Sequence, residues 1–223
     1  MRNIKFANGE HYHIYNRGTE KRYIFGDADD FRRFLESMND FNKEEPIGSI
    51  YEYRFIKNQL GSSTSKLGDA KPLVRFIAYC LNPNHFHFLM EQLEDDGIPK
   101  FMHRLSTGYT KYFNKKYRRS GALFSGRYKS VHVDSNEYLL RLSAYVNLND
   151  RIHFNYQDDV ATKSISSWRE YIDNERTIKF CDTEIITEQF HNKAEYQQFA
   201  LEALSDIQTN KVRQRELDDL REY

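Results

Sequence analysis

The feature that most narrows the folds open to this chain is the run from Leu73 to Met90. Phe76-Ile77-Ala78-Tyr79 is apolar, Asn82-Pro83-Asn84 interrupts it, and His85-Phe86-His87-Phe88 then alternates polar with apolar. Alternation over a short run bounded by turn residues is the mark of a strand. On a strand, residues two apart share a face. His85 and His87 therefore stand side by side, with Phe86 and Phe88 turned the other way. Two neutral imidazoles at this spacing can hold one divalent cation if a third donor arrives from elsewhere. Two hydrogen-bonded histidines on a sheet would leave the same pattern, and two ligands alone do not make a site.

The 223 residues suit one generous domain, or one domain with an extension. Cys80 and Cys181 are the only cysteines, which argues for a reducing compartment and against a disulfide framework. No apolar signal region opens the chain and no run is long enough to span a bilayer, so a soluble, cytoplasmic protein is expected, with no membrane partner.

Ahead of the histidine run, His11 to Asn16 alternates and reads as a strand that turns at Arg17-Gly18. His11 and His13 repeat the H-x-H spacing, but their flanks are polar and near a terminus, so both are taken as ordinary strand residues. Asp27 or Asp29 can cap a helix reaching about Asn42, with Phe31, Phe34, Leu35, Met38 and Phe41 on one face. Ile50 to Ile56 reads as a strand, and Asn58 to Lys71 as a flexible insertion. Beyond the run, Ile98 to about Lys116 has helical period and Tyr128 to Val133 looks extended. Asp134 begins a helix that should reach about Asn149. From Ser164 the chain is amphipathic and mostly helical, ending in a charged stretch from Lys211 to Tyr223.

Net charge is zero, 33 basic against 33 acidic residues, but its distribution is uneven. Between Gly97 and Val133 there is no Asp or Glu, while Lys100, Arg104, Lys111, Lys115, Lys116, Arg118, Arg119, Arg127 and Lys129 all fall there. Tyr109, Tyr112, Phe113, Tyr117, Phe124 and Tyr128 are interleaved with them. A charge run is usually a solvated face, and some of these aromatics must be core. Cations for phosphates and rings for unpaired bases together point to nucleic acid, single strands before duplex.

The helix after this window carries Tyr138-Leu139-Leu140-Arg141-Leu142-Ser143-Ala144-Tyr145-Val146-Asn147-Leu148-Asn149. Leu139, Leu142 and Val146 make a core stripe. Tyr145 and Asn149, an i, i+4 pair on an adjacent face, can touch one object together. Asn149 offers an amide oxygen, a hard donor suited to Mg2+ or Mn2+ beside imidazoles. Tyr145 offers a phenol, a nucleophile once deprotonated, although a helical tyrosine by itself is usually a packing residue.

Taken together, Asn-Pro-Asn before H-hydrophobic-H and a later helix with Tyr-Val-Asn-Leu-Asn resemble the single-tyrosine HUH transposases. Within them the chain is most similar to the REP-associated tyrosine transposases. His13-Ile14-Tyr15-Asn16-Arg17-Gly18, Gly126-Arg127-Tyr128-Lys129 and Ser166-Ser167-Trp168-Arg169-Glu170-Tyr171 agree with that family, and the resemblance covers about residues 8–175. It implies an α/β (α+β) fold with a ferredoxin-like antiparallel sheet, helices packed on it and a helical C-terminal extension. The transposase domain would span 1–160, interrupted at about 58–71, and the extension 161–223.

The resemblance further implies Tyr145 as nucleophile and His85, His87 and Asn149 as ligands of Mg2+ or Mn2+. Relatives usually follow that Asn with Pro, whereas Asp150 stands here. The implied activity is transposition, by cleavage and rejoining of single-stranded or hairpin DNA through a 5′-phosphotyrosine, with the protein held at the nucleoid by its DNA. Arg17, Arg104, Lys111, Lys115, Lys116, Arg118, Arg119, Arg127 and Lys129 would hold the DNA, with Arg127 and Arg17 foremost. Monomer and homodimer are both open. So are two rival functions: a domesticated binder of structured DNA that does not cut, and a metal phosphodiesterase acting on RNA.

Overall fold

In a computed structural model, which describes residues 4–47, 71–152, 164–173 and 180–219, the segment His11–Arg17 is strand β1. Asn-Pro-Asn divides the histidine run into β2 (Val74–Asn82) and β3 (His85–Gln92). Pro83 and Asn84 form the tight turn between them, and the Pro83 carbonyl accepts from Ile24 N (2.8 Å) and Phe25 N (3.1 Å). Strands β4 (Lys129–Val133) and β5 (Ile165–Ser166) complete a sheet of order β4-β1-β3-β2-β5, antiparallel at every pairing. The expected strand at Ile50–Ile56, and the expected insertion apart from Lys71, lie outside the described residues.

Helix α1 (Ala28–Asp40) joins β1 to β2 in the described sequence of elements, and α2 (Gly97–Lys116) joins β3 to β4. With the strand order 4-1-3-2 this is the β-α-β-β-α-β arrangement of a ferredoxin-like fold, as expected. Asp27 caps α1, its carboxylate accepting from Asp30 N at 3.1 Å. Both helices cover one face of the sheet. Phe86, Phe88 and Met90 of β3 meet Phe34 and Met38 of α1 and Phe101, Leu105 and Tyr109 of α2 there. The rings pack edge to face, as at Phe34–Tyr109 (4.8 Å between centroids) and Phe76–Phe101 (5.5 Å).

The opposite face is covered by later elements: α3 (Asn136–Asn147), α4 (Asn149–Ile152), α5 (Trp168–Ile172), α6 (Glu184–Thr187) and α7 (Lys193–Asp219). Ile77, Ala78, Cys80 and Leu89 of the sheet pack there against Leu139, Leu142 and Val146 of α3, with Tyr196, Ala200 and Leu204 of α7 behind. With both faces covered, β2 is buried almost throughout, which is why its sequence shows a continuous apolar run and no alternation. Ser135, not Asp134, caps α3, its hydroxyl accepting from Tyr138 N (3.3 Å). The helix stops at Asn147, short of Asn149. Leu148 breaks the period, and α4 resumes as a separate turn.

Much of the basic, aromatic window is spent on this scaffold. The buried Asp30 carboxylate accepts from Gly26 N (2.7 Å), Tyr112 OH (2.9 Å), Tyr117 OH (2.7 Å) and Lys116 Nζ (2.7 Å). Tyr109 is wholly buried and donates to Ile24 O (2.6 Å), while Phe113 and Phe124 are core. Arg104 donates to the carbonyls of Lys43 and Glu44, and Arg119 to Asn114 and Ala122 O. Tyr112, Lys116 and Tyr117, which the sequence offers to nucleic acid, thus staple the end of α2 to Asp30 of α1. Among the described residues, no helix is long and apolar enough to cross a membrane.

Removing one partner of a buried, hydrogen-bonded ion pair leaves the others uncompensated. Asp30→Ala should lower the free energy of unfolding by about 3 kcal/mol. Urea titration reads this as a lower midpoint at unchanged slope, and an unmoved midpoint would deny the carboxylate this role.

Candidate active site

The face of the sheet under α3 is polar at one end. In the antiparallel register Tyr15 lies opposite His87 and Arg17 opposite His85, which puts His13 diagonally across from His87. Since β1 alternates, His13, Tyr15 and Arg17 share the face of the two β3 histidines, while Tyr12 and Ile14 enter the aromatic core. Four rings result in one cluster: His13 and His87 both stack on Tyr15 (4.8 and 5.5 Å between centroids), and His85 stands perpendicular to His87 (5.2 Å).

Helix α3 adds Tyr145. Its ring meets His87 and His13 edge-on, at 5.5 and 5.9 Å between centroids. The turn after α3 adds Asn149, wholly buried, with its Oδ1 3.2 Å from His85 Nε2. The four residues singled out from the sequence, Tyr145, His85, His87 and Asn149, therefore meet on one side of the sheet within a single chain.

Hydrogen bonds orient this group. His85 Nδ1 lies 2.6 Å from Asn84 Oδ1, and a carbonyl oxygen only accepts, so that nitrogen carries the proton and Nε2 a lone pair. Asn82 Oδ1 accepts from Ser164 Oγ (2.8 Å), which turns the Asn82 amide nitrogen towards both Asn149 Oδ1 (2.9 Å) and His85 Nε2 (3.0 Å). Two acceptors, an imidazole nitrogen and an amide oxygen, are thereby held face to face. His87 Nδ1 is 2.8 Å from His13 Nε2, so a cation would have to take His87 through Nε2. Of these donors the amide oxygen is the one suited to Mg2+ or Mn2+, while the imidazoles also suit softer divalent ions. Among the described residues no three His, Cys, Asp or Glu are placed to share a metal, so such a site depends on the Asn149 oxygen.

Burial sets the proton equilibria. It pushes the Tyr145 phenol above its ordinary value, with the Asn149 side chain opposing. It lowers His13 to about 4, so that imidazole is neutral at pH 7. It also raises the Asp150 carboxyl, one of whose oxygens is buried with no hydrogen-bond partner. Asp150 does not end the helical path, because α4 runs on to Ile152.

Beside the imidazoles opens a cleft of about 480 Å3 lined by Tyr15, Arg17, Lys21, His85, His87 and Lys129 among others. Tyr145 does not line it; the ring is half-buried, edge-on to His87. Of the nine expected DNA contacts, Arg17 and Lys129 stand at this cleft. Lys111, Lys115, Arg118 and Arg127 are exposed and do not line it, the two lysines lying on α2 across the sheet from the histidines. Arg104, Lys116 and Arg119 are engaged as described above.

Sequence reasoning missed His13, Asn82 and Lys21. The repeated H-x-H at His11 and His13 was the available signal for the first, and the antiparallel pairing that gives it meaning is long-range. Of that pair only His13 joins the cluster. His11 is half-buried at the far end of β1, its Nε2 without a hydrogen-bond partner.

Among known proteins, residues 50–149 match the model of the family described as Transposase IS200 like. That segment includes the β2–β3 hairpin, α2, β4, α3 and Asn149. No curated protein matches the chain. One solved structure similar to it is described as a REP-associated tyrosine transposase bound to a REP hairpin, at 9% identity and a TM-score of 0.46, over 69% of this chain and 74% of that one.

The neutrality of His13 has a measurable consequence for metal-free protein. Its folded value lies below the unfolded one, so the unfolded chain protonates first. The stabilisation is whole above about pH 6.5 and is lost as pH falls towards 4. Between pH 7 and 4.5 this group should cost the wild type about 2 kcal/mol that His13→Phe does not lose. Urea titrations at the two pH values measure the difference, and equal losses would rule out a buried neutral imidazole.

Proposed function

We propose that this chain, whose residues 50–149 match the model of the IS200-like transposase family, is a transposase of that kind that cleaves and rejoins single-stranded DNA with Tyr145 as nucleophile. What supports the reading is the meeting of that phenol with His85, His87 and Asn149 on one face, beside a cleft with cationic walls. A divalent cation held by those three residues would polarise the scissile phosphate and offset its developing charge. Arg17, Lys21 and Lys129 hold the phosphate backbone in the cleft. Hairpin DNA is the substrate form that the resemblance favours.

Tyr145 attacks phosphorus, and its oxygen–phosphorus bond forms as the bond to the 3′ oxygen breaks. The phenol proton goes to solvent, and the departing oxygen takes one up as a 3′ hydroxyl. The phosphodiester energy stays in the tyrosine ester, so another 3′ hydroxyl can reverse the step and join strands. Nucleotide hydrolysis is not required, in keeping with a sequence that carries no G-x-x-x-x-G-K-[ST] segment. Because the phenol is half-buried and its pKa raised, attack requires it to turn from His87 towards the cleft.

That same burial favours a second reading, a protein that binds structured DNA without cutting it. A labelled hairpin with a single-stranded flank, incubated with Mn2+, separates the two. Cleavage leaves a heat-stable band of shifted protein that peptide mapping traces to Tyr145, and Tyr145→Phe removes the band while DNA binding is unchanged. Tight binding with no band in the wild type would establish the binder. In either case Arg17→Ala and Lys129→Ala should each reduce the slope of log affinity against log salt by about 1, and Lys111→Ala should leave it alone. An equal effect of Lys111→Ala would move the DNA to the α2 face.

A further inference from the structure

His13 lies on the histidine face of the sheet, beside His87. It is buried to 7% exposure, diagonally across the sheet from His87, with its Nε2 2.8 Å from His87 Nδ1. The two ring planes are within 20° and their centroids 5.1 Å apart, so the bond lies close to the plane of both imidazoles. Tyr15 covers one face of His13 and the Tyr145 ring meets it edge-on, so it has little freedom to turn away. A residue that only filled this space would need no nitrogen at that position.

An imidazole–imidazole hydrogen bond uses one N–H and one lone pair, and here two arrangements satisfy it. In one, His13 donates and His87 carries its proton on Nε2, which bars that nitrogen from a cation. In the other, His87 Nδ1–H donates to His13 and the Nε2 lone pair is left to ligate. His85 is in the second state by necessity, because its Nδ1 faces the Asn84 carbonyl oxygen at 2.6 Å. A pair of imidazoles serves one cation only if both present a lone pair, and an outer partner on the far nitrogen is the usual way to arrange it.

We infer that His13 is a positioning residue that holds His87 as the Nδ1–H tautomer, so that His87 presents the same nitrogen as His85. The choice between the two tautomers rests on the cation-binding role of His87 proposed above, while the His13–His87 bond itself is this chain's own geometry. Nitrogen-15 NMR of the metal-free protein reads the tautomer, and titration with Mn2+ followed by electron paramagnetic resonance reads affinity. Wild type should show His87 protonated at Nδ1. His13→Phe, which keeps a ring but removes the acceptor, should lose that preference and weaken Mn2+ binding roughly 10- to 100-fold. His13→Gln, whose amide oxygen accepts, should restore most of both. Circular dichroism of each variant checks that the sheet is intact.

A metal-free wild type with His87 protonated at Nε2 overturns the inference, as does His13→Phe binding Mn2+ like wild type when His87→Ala does not. Should the tautomer be as stated but His87→Ala bind Mn2+ undiminished, the positioning role stands and the cation reading falls.

Discussion

Everything at the candidate site depends on the antiparallel pairing of β1 with β3. A strand has two faces, and a shift of one residue would exchange them. In the observed register, Tyr12 and Ile14 join Phe86 and Phe88 in the aromatic core, while His13, Tyr15 and Arg17 join His85 and His87 on the other side. The hydrophobic cost of burying the wrong set fixes that choice, so packing of one face determines chemistry on the other. The β2–β3 turn tightens the constraint by supplying Asn82 and Asn84, which flank His85.

The second requirement is that α3 lie against the histidine face, and the later helices secure this. Tyr196 of α7 reaches Ser143 Oγ (3.1 Å) and accepts from Asn147 Nδ2 (2.9 Å), two residues on the helix that carries Tyr145. Asn147 Oδ1 in turn accepts from Ser167 Oγ (2.6 Å), and that hydroxyl oxygen accepts from Tyr79 N of β2 (2.9 Å). This buried chain joins α7, α3 and the sheet, where an unpaired polar group would be costly. It brings Tyr145 to the imidazoles of its own chain.

The parts legible in the sequence were those whose signal is local. The H-x-H spacing on β3 gave the shared face of His85 and His87, and the Leu139, Leu142 and Val146 stripe gave the inward face of α3. Resemblance to a family then joined two stretches that no periodicity connects. What escaped was long-range. His13 looked like any strand histidine because its partner is on another strand, 74 positions away. The basic window looked like a single surface because composition does not say which cations face inward. Asp30, remote in sequence, takes up Lys116, Tyr112 and Tyr117, and only Arg17 and Lys129 among the nominated cations reach the cleft. The helix expected to reach about Asn149 stops at Asn147, because Leu148 leaves helical geometry there and α4 restarts beyond it.

The central claim is that one face of the sheet builds a cation site from His85, His87 and Asn149 within reach of the Tyr145 phenol. Anomalous diffraction from crystals soaked in Mn2+ tests it most directly. A single peak bonded to Nε2 of both histidines and to Asn149 Oδ1, next to the tyrosine ring, is the predicted result. A peak that omits His87 or Asn149, or one on the α2 side of the sheet, would contradict it.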